Sequence, residues 1–214
     1  GTGPNVDRQE GPHAHSITLD PSGHFAVSAD LGNDKLILYK LEKEGRKLVH
    51  HFEHSLTPGA GPRHVAFNHE GNRLYAINEL DSTVTALKYD DSQGTLATLQ
   101  TLSTLPDDYK ETSYCADIHI SADGRFLYGS NRGHDSIVVF TIDSATGMLS
   151  PVEISSTLGQ TPRNFAIAPN GTFLIAANQD SDSLNVFSID AKSGKLKNTG
   201  ISAEVSRPVC VTFM

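Results

Sequence analysis

The stretch Gly59 to Glu79, GAGPRHVAFNHEGNRLYAINE, sets an arginine and a histidine before one strand-like run and a single glutamate just after the next. Arginine suits a carboxylate or phosphate, because its planar guanidinium makes bidentate, charge-assisted hydrogen bonds. Glutamate and histidine are common carriers of a proton at a reacting group. Arg63 and Glu79 are thus the equipment for holding a small anion and doing acid-base work on it. Arg132 and Arg163 sit in comparable places further along, and His15 heads an earlier run. The same residue types also serve structure: an arginine on a β-sheet surface pairs with a carboxylate, and a histidine at a strand start packs or caps a turn.

Other chemistries find little support. There are ten histidines, yet His50 and His51 are adjacent in a strand and point to opposite faces, and no cysteine or aspartate spacing completes a metal site. No metal is expected. Neither G-x-S-x-G nor a glycine-rich phosphate loop before a helix is present, which argues against a serine triad or a nucleotide fold. Cys115 and Cys210 have neither the number nor the spacing of a disulfide framework and are expected to be small buried packing residues.

The elements that must position these residues form a repeat. Four segments align, starting at His15, Arg63, Ala116 and Arg163, with spacings of 48, 53 and 47 residues. Each holds an alternating run, a turn (PSG, HEG, ADG or PNG), a second run ending in Asp or Asn, a polar turn and a third run. A loop and a weaker fourth run follow, such as LVHHFEH or LATLQTL. Valine, isoleucine, phenylalanine and tyrosine recur at period two, and no stretch sustains helical periodicity. Four antiparallel strands in every unit of about 45–50 residues predict an all-β fold, a β-propeller of four-stranded blades. The blades are expected near 12–59, 60–114, 115–161 and 162–206, in a single domain over 1–214. A closing inner strand is expected within 207–214, at Val209 to Phe213, and GTGPNVDRQEG reads as a loop. One strand without neighbours leaves an open edge, so the chain is expected to be the C-terminal part of a larger ring, completed by an N-terminal segment or a second copy.

The repeat also explains why distant residues can meet. His15, Arg63, Ala116 and Arg163 share the position at the start of the first strand, while Leu31, Glu79, Arg132 and Gln179 share the one just past the second. With the first strand innermost, both lie near one mouth of a central channel, and adjacent blades bring Arg132 towards Glu79.

With these residues laid out, the sequence resembles the lactonase family of seven-bladed propellers, which includes 6-phosphogluconolactonases and the 3-carboxymuconate lactonizing enzymes. PHAHSITLDPSG, GAGPRHVAFNHEGNRLYAINE, ADIHISADGRFLYGSNRGHDSI, TPRNFAIAPNG and RPVCVTF carry the likeness. The resemblance implies that His15, Arg63, Glu79 and Arg132 are the catalytic set, without a cofactor, acting on a small anionic lactone, foremost 6-phosphogluconolactone. Glu79 or His15 would supply the acid-base function, and Arg63 and Arg132 would hold the anionic group and the developing oxyanion. His13, His64, Asp117, His119 and Arg163 are further candidates for lining the pocket, with hydrogen bonding between strands as the alternative. Two other functions stay open: lactonizing chemistry on a carboxylated muconate, and a non-catalytic propeller that binds a protein or peptide.

Composition sets the outer bounds. With 17 Lys and Arg against 25 Asp and Glu, the net charge of −8 argues against a nucleic-acid partner. No apolar run approaches the roughly 20 residues of a membrane helix, so no membrane association is expected, and the reading implies a cytoplasmic protein.

Overall fold

A computed structural model describes residues 1–42 and 44–213. The chain divides into two compact units, Gly1–Leu102 and Ser103–Met214. Every sheet is four-stranded and antiparallel, with its strands in chain order. In the first unit, one sheet comprises β1 (Ala14–Leu19), β2 (Phe25–Asp30), β3 (Lys35–Glu42) and β4 (Lys47–Ser55). The next comprises β5 (Pro62–Phe67), β6 (Arg73–Asn78), β7 (Thr83–Asp90) and β8 (Thr95–Ser103). In the second unit, the third sheet holds β9 (Tyr114–Ile120), β10 (Phe126–Arg132), β11 (Ser136–Ile142) and β12 (Leu149–Ser156). The fourth holds β13 (Pro162–Ile167), β14 (Phe173–Asn178), β15 (Ser183–Ile189) and β16 (Leu196–Glu204). Among the described residues the only helical piece is a 3-10 turn at Gln179–Ser181, so no helix there is long and apolar enough to cross a membrane.

The turns form where the sequence supplies side-chain acceptors. After β1, the Asp20 carboxylate accepts the His24 and Phe25 N–H groups at 2.9 and 2.8 Å. Asn68 does the same for Asn72 and Arg73, and the Ser121 hydroxyl for Phe126. The glycines of these turns, Gly23, Gly71, Gly124 and Gly171, all have φ between +67 and +74°, the left-handed region that costs other residues energy.

A second recurrent device ties the first, third and fourth sheets to the segments that follow them. Asp34, Asp135 and Asp182 are left-handed turn residues between the second and third strands. Their carboxylates accept the backbone N–H of Gly61 (2.7 Å), Thr161 (2.8 Å) and Arg207 (2.7 Å) respectively. Within each unit the two sheets bury their facing side chains. Val27, Ala29, Leu36 and Leu38 pack with Val65, Leu74, Ala76 and Leu87. Phe126, Tyr128, Ile137 and Val139 pack with Phe165, Leu174, Ala176 and Phe187. Fully burying one such large side chain stabilises by about 1.5–3 kcal/mol.

Two expectations are corrected. Residues 209–213 form no strand, because a strand exists only where a ladder forms; here Val211 instead donates one backbone N–H to the Asn164 side chain at 2.7 Å. Cys210 lies on this segment and is exposed, whereas Cys115 is buried as a packing residue.

Candidate active site

The site residues sit where the first strand of a sheet breaks register. Pro62 pairs with Asn78 and His64 with Ile77, so Arg63 is an extra residue at a register shift. His15 lies in the same way between the pairs Ala14–Asp30 and Ser16–Ala29, and Arg163 between Pro162–Asn178 and Asn164–Ala177. In β9 the shift leaves Ala116 and Asp117 between the partners of Asn131 and Gly129. A bulge bends its strand and re-aims the extra side chain.

The position past the second strand is folded back against the bulge. Glu79 N–H donates to the Gly61 carbonyl at 2.7 Å, as Leu31 does to His13 (3.0 Å) and Gln179 to Thr161 (2.9 Å). Gly61 must be glycine: φ is +63°, and a Cβ there would lie 2.6 Å from Leu80 Cγ. Backbone geometry by itself therefore places Arg63 and Glu79 close together.

Their side chains complete the contact. Arg63 Nε donates to Glu79 Oε2 at 2.8 Å, and Arg8 Nη2 donates to Glu79 Oε1 at 2.6 Å. The Arg63 and Glu79 side chains are only 3% and 6% exposed, against 39% for Arg8. Two guanidinium groups thus compensate one buried carboxylate, which would otherwise carry a large desolvation cost. Arg63 Nη1 also lies 3.3 Å from His64 Nε2. A guanidinium has no acceptor, so in a hydrogen bond between them His64 Nε2 is the accepting atom. The His15 ring lies against His64, with centroids 5.2 Å apart.

Arg8 is the residue that sequence reasoning missed, since it lies in a loop outside the repeat. The loop is nevertheless built firmly. Gln9 is fully buried, and its Nε2 donates to the Leu31 carbonyl and Asp34 Oδ1, both at 2.8 Å. Its Oε1 accepts the Asn5 N–H at 3.1 Å. Asp34 also accepts Gly59 and Gly61 N–H groups, so one carboxylate joins the loop to both sheets of the first unit. Close backbone contact adds to this: a Cβ on Gly32 would lie 1.8 Å from the Gly11 carbonyl. The adjacent pair Arg8-Gln9 directly before the first repeat was the available signal.

A cleft of about 190 Å³ opens beside the cluster, lined by Asp7, Arg8, Glu10, His13, His15 and Leu31. Both His13 and His15 are exposed. His13 Nε2 and Glu10 Oε1 are 2.9 Å apart. Hydrogen bonding to its backbone and then to His13 holds the Glu10 carboxyl below the ordinary value.

The remaining candidates lie in the second unit. Asp117 is buried, and its Oδ2 is within hydrogen-bond reach of His119 Nε2 (3.0 Å) and Asn164 Nδ2 (2.5 Å). Oδ1 accepts the Ile118 N–H at 3.0 Å. The His119 ring meets Phe165 edge to face at 4.8 Å. Asp117 thus tethers β9 to β13. Arg132 ends β10, half-buried, and its Nη2 donates to the Cys115 carbonyl at 3.0 Å. Arg163 is half-buried at its bulge. Among the described residues no group of three His, Cys, Asp or Glu is arranged to hold a metal ion; His50 is paired with Glu53, and His51 with the Gln93 carbonyl.

Four-stranded antiparallel sheets repeated along the chain are the architecture of a β-propeller. Residues 1–213 match the model of the family described as Lactonase, 7-bladed beta-propeller, and the chain belongs to that family. It is 44% identical over 169 residues to the 6-phosphogluconolactonase of Bacillus subtilis, covering 79% of this chain and 48% of that protein. A crystal structure from Lactobacillus plantarum matches with a TM-score of 0.93 at 34% identity, over 98% of this chain and 60% of that one. The periplasmic gluconolactonase of Pseudomonas aeruginosa matches with a TM-score of 0.89 at 38% identity, over 94% and 56%. The chain thus spans about half the length of the curated relatives it matches.

Proposed function

We propose that the chain carries the hydrolytic site of a 6-phosphogluconolactonase, opening 6-phosphogluconolactone to 6-phosphogluconate without a cofactor. The observation that carries this reading is the Arg63–Glu79–Arg8 cluster beside the His15 cleft, in a member of the lactonase family. Ring opening needs a base to activate water and positive charge for the oxyanion that develops on the carbonyl. Both oxygens of Glu79 are engaged by guanidinium groups. The exposed His15 is accordingly assigned the activation of water, and Glu79 the placement of the two arginines. Arg63 contributes fixed positive charge from within. His13 and His64 are assigned to line or support the His15 side in the first unit, and Arg132, His119 and Arg163 are the second unit's candidates for substrate contact on residue type and repeat position.

The exposed apolar residues Ile17, Leu19 and Leu48 on the outer face of the first sheet support its being covered by a further blade, from the same polypeptide or a second copy. A cytoplasmic location belongs to the same proposal, and cell fractionation distinguishes it from the periplasmic setting of the Pseudomonas relative.

The test is hydrolysis of freshly generated 6-phosphogluconolactone by the intact protein, with spontaneous opening subtracted. His15→Gln is expected to lower kcat/KM by about 100-fold or more, the usual contribution of a positioned general base. Turnover no faster than background in the intact protein would reject the reading.

A further inference from the structure

We propose that Arg8 is the specificity residue for the anionic substituent of the substrate, its guanidinium held toward the cleft by Glu79. This rests on the lactonase reading but goes beyond it, since it assigns recognition of the phosphate to a loop residue outside the repeat. Within the cluster, Arg8 is the solvent-exposed cation, at 39% against 3% for Arg63. Arg8 lines the cleft together with His13 and His15, so an anion there would meet a guanidinium fork beside two imidazoles. Glu79 fixes one nitrogen of the fork at 2.6 Å, and the next residue, the buried Gln9, is anchored by its side chain to the Leu31 carbonyl. The side chain is therefore ordered before a ligand arrives, which reduces the entropy lost on binding. Asp7 and Glu10 line the same cleft and their charge opposes any anion there, so binding depends on direct contact with the guanidinium. The ligand class that fits is a small lactone bearing a phosphate.

Two measurements on the intact protein and its Arg8→Ala and Arg8→Lys variants decide the matter, with Arg207→Ala as a surface control. The first is the affinity for inorganic phosphate by calorimetry. The second is the ratio of kcat/KM for 6-phosphogluconolactone to that for unphosphorylated gluconolactone. Loss of one charge-assisted hydrogen-bonding group should weaken phosphate binding by about 10–100-fold in Arg8→Ala and lower the ratio comparably. Lysine, which keeps the charge but not the fork, should restore only part of each. Thermal melts confirm that the variants fold.

Unchanged phosphate affinity in Arg8→Ala, or equal losses on both lactones, overturns the inference. So does an intact protein that binds no phosphate, even if it hydrolyses unphosphorylated gluconolactone. If neither lactone is turned over, the lactonase reading falls and the phosphate titration alone decides the role of Arg8.

Discussion

The second and fourth sheets carry the same scaffold and different chemistry. Arg63 and Arg163 both occupy the bulge of a first strand, and the residue past the second strand closes back on the backbone in both. In the second sheet that residue is Glu79, and the result is a buried ion cluster. In the fourth it is Gln179, and the acid, Asp180, is displaced by one residue to an exposed site. There it accepts from the Thr161 hydroxyl at 2.7 Å and pairs with Arg207 at 3.3 Å. A duplicated backbone supplies the meeting point in each case, but one carboxyl group at one position decides whether charge is buried there.

The largest effect should come from abolishing that difference. Glu79→Gln makes the second sheet resemble the fourth and leaves Arg63 buried without its carboxylate. Breaking a buried pair in this way is expected to cost about 3–5 kcal/mol, read by denaturant unfolding. Gln179→Glu, the converse change, should move stability by no more than about 1 kcal/mol, because the fourth-sheet site is partly exposed.

The sheet-to-sheet tethers come next. Asp34→Ala removes the acceptor of Gln9, Gly59 and Gly61 together. Leaving those donors unsatisfied is expected to cost about 1–3 kcal/mol. Because Gln9 anchors the loop bearing Arg8, phosphate affinity should fall with it. If stability drops while phosphate affinity holds, the loop is fixed by other contacts.

Acid sensitivity distinguishes the first-sheet turn. Burial pushes the Asp20 carboxyl up, but hydrogen bonds from the Ser22 hydroxyl, the Phe25 N–H, the Tyr89 hydroxyl and the His24 N–H outweigh it and leave the pKa below the ordinary value. A folded-state pKa lower than the unfolded one means that the stabilisation is present above about pH 4 and is lost as pH falls through the lower value. Asp20→Asn should therefore flatten the acid limb of stability below about pH 4, measured by melts across pH. The smallest effect is expected from Arg207→Ala, whose ion pair with Asp180 is exposed: about 0–1 kcal/mol, shrinking with added salt.

Much of this was readable in the chain. Period-two runs and glycine turns repeat four times, and local rules suffice for them, because strand alternation and left-handed turn residues are properties of a few adjacent positions. The equivalence of Arg63 with Arg163, and of Glu79 with Gln179, follows from the same alignment. The absent closing strand was not readable, since pairing depends on a neighbour rather than on the propensity of VCVTF.

The sequence by itself determined the repeat, the strands and the residue types available for chemistry. Only the tertiary structure decided that His15, Arg63 and Arg163 are bulge residues, because register is a relation between two strands. Only it showed that a loop outside the repeat supplies the second guanidinium for Glu79. That contact joins residues 71 positions apart, and it depends on burial and on the anchoring of Gln9, which no local pattern encodes.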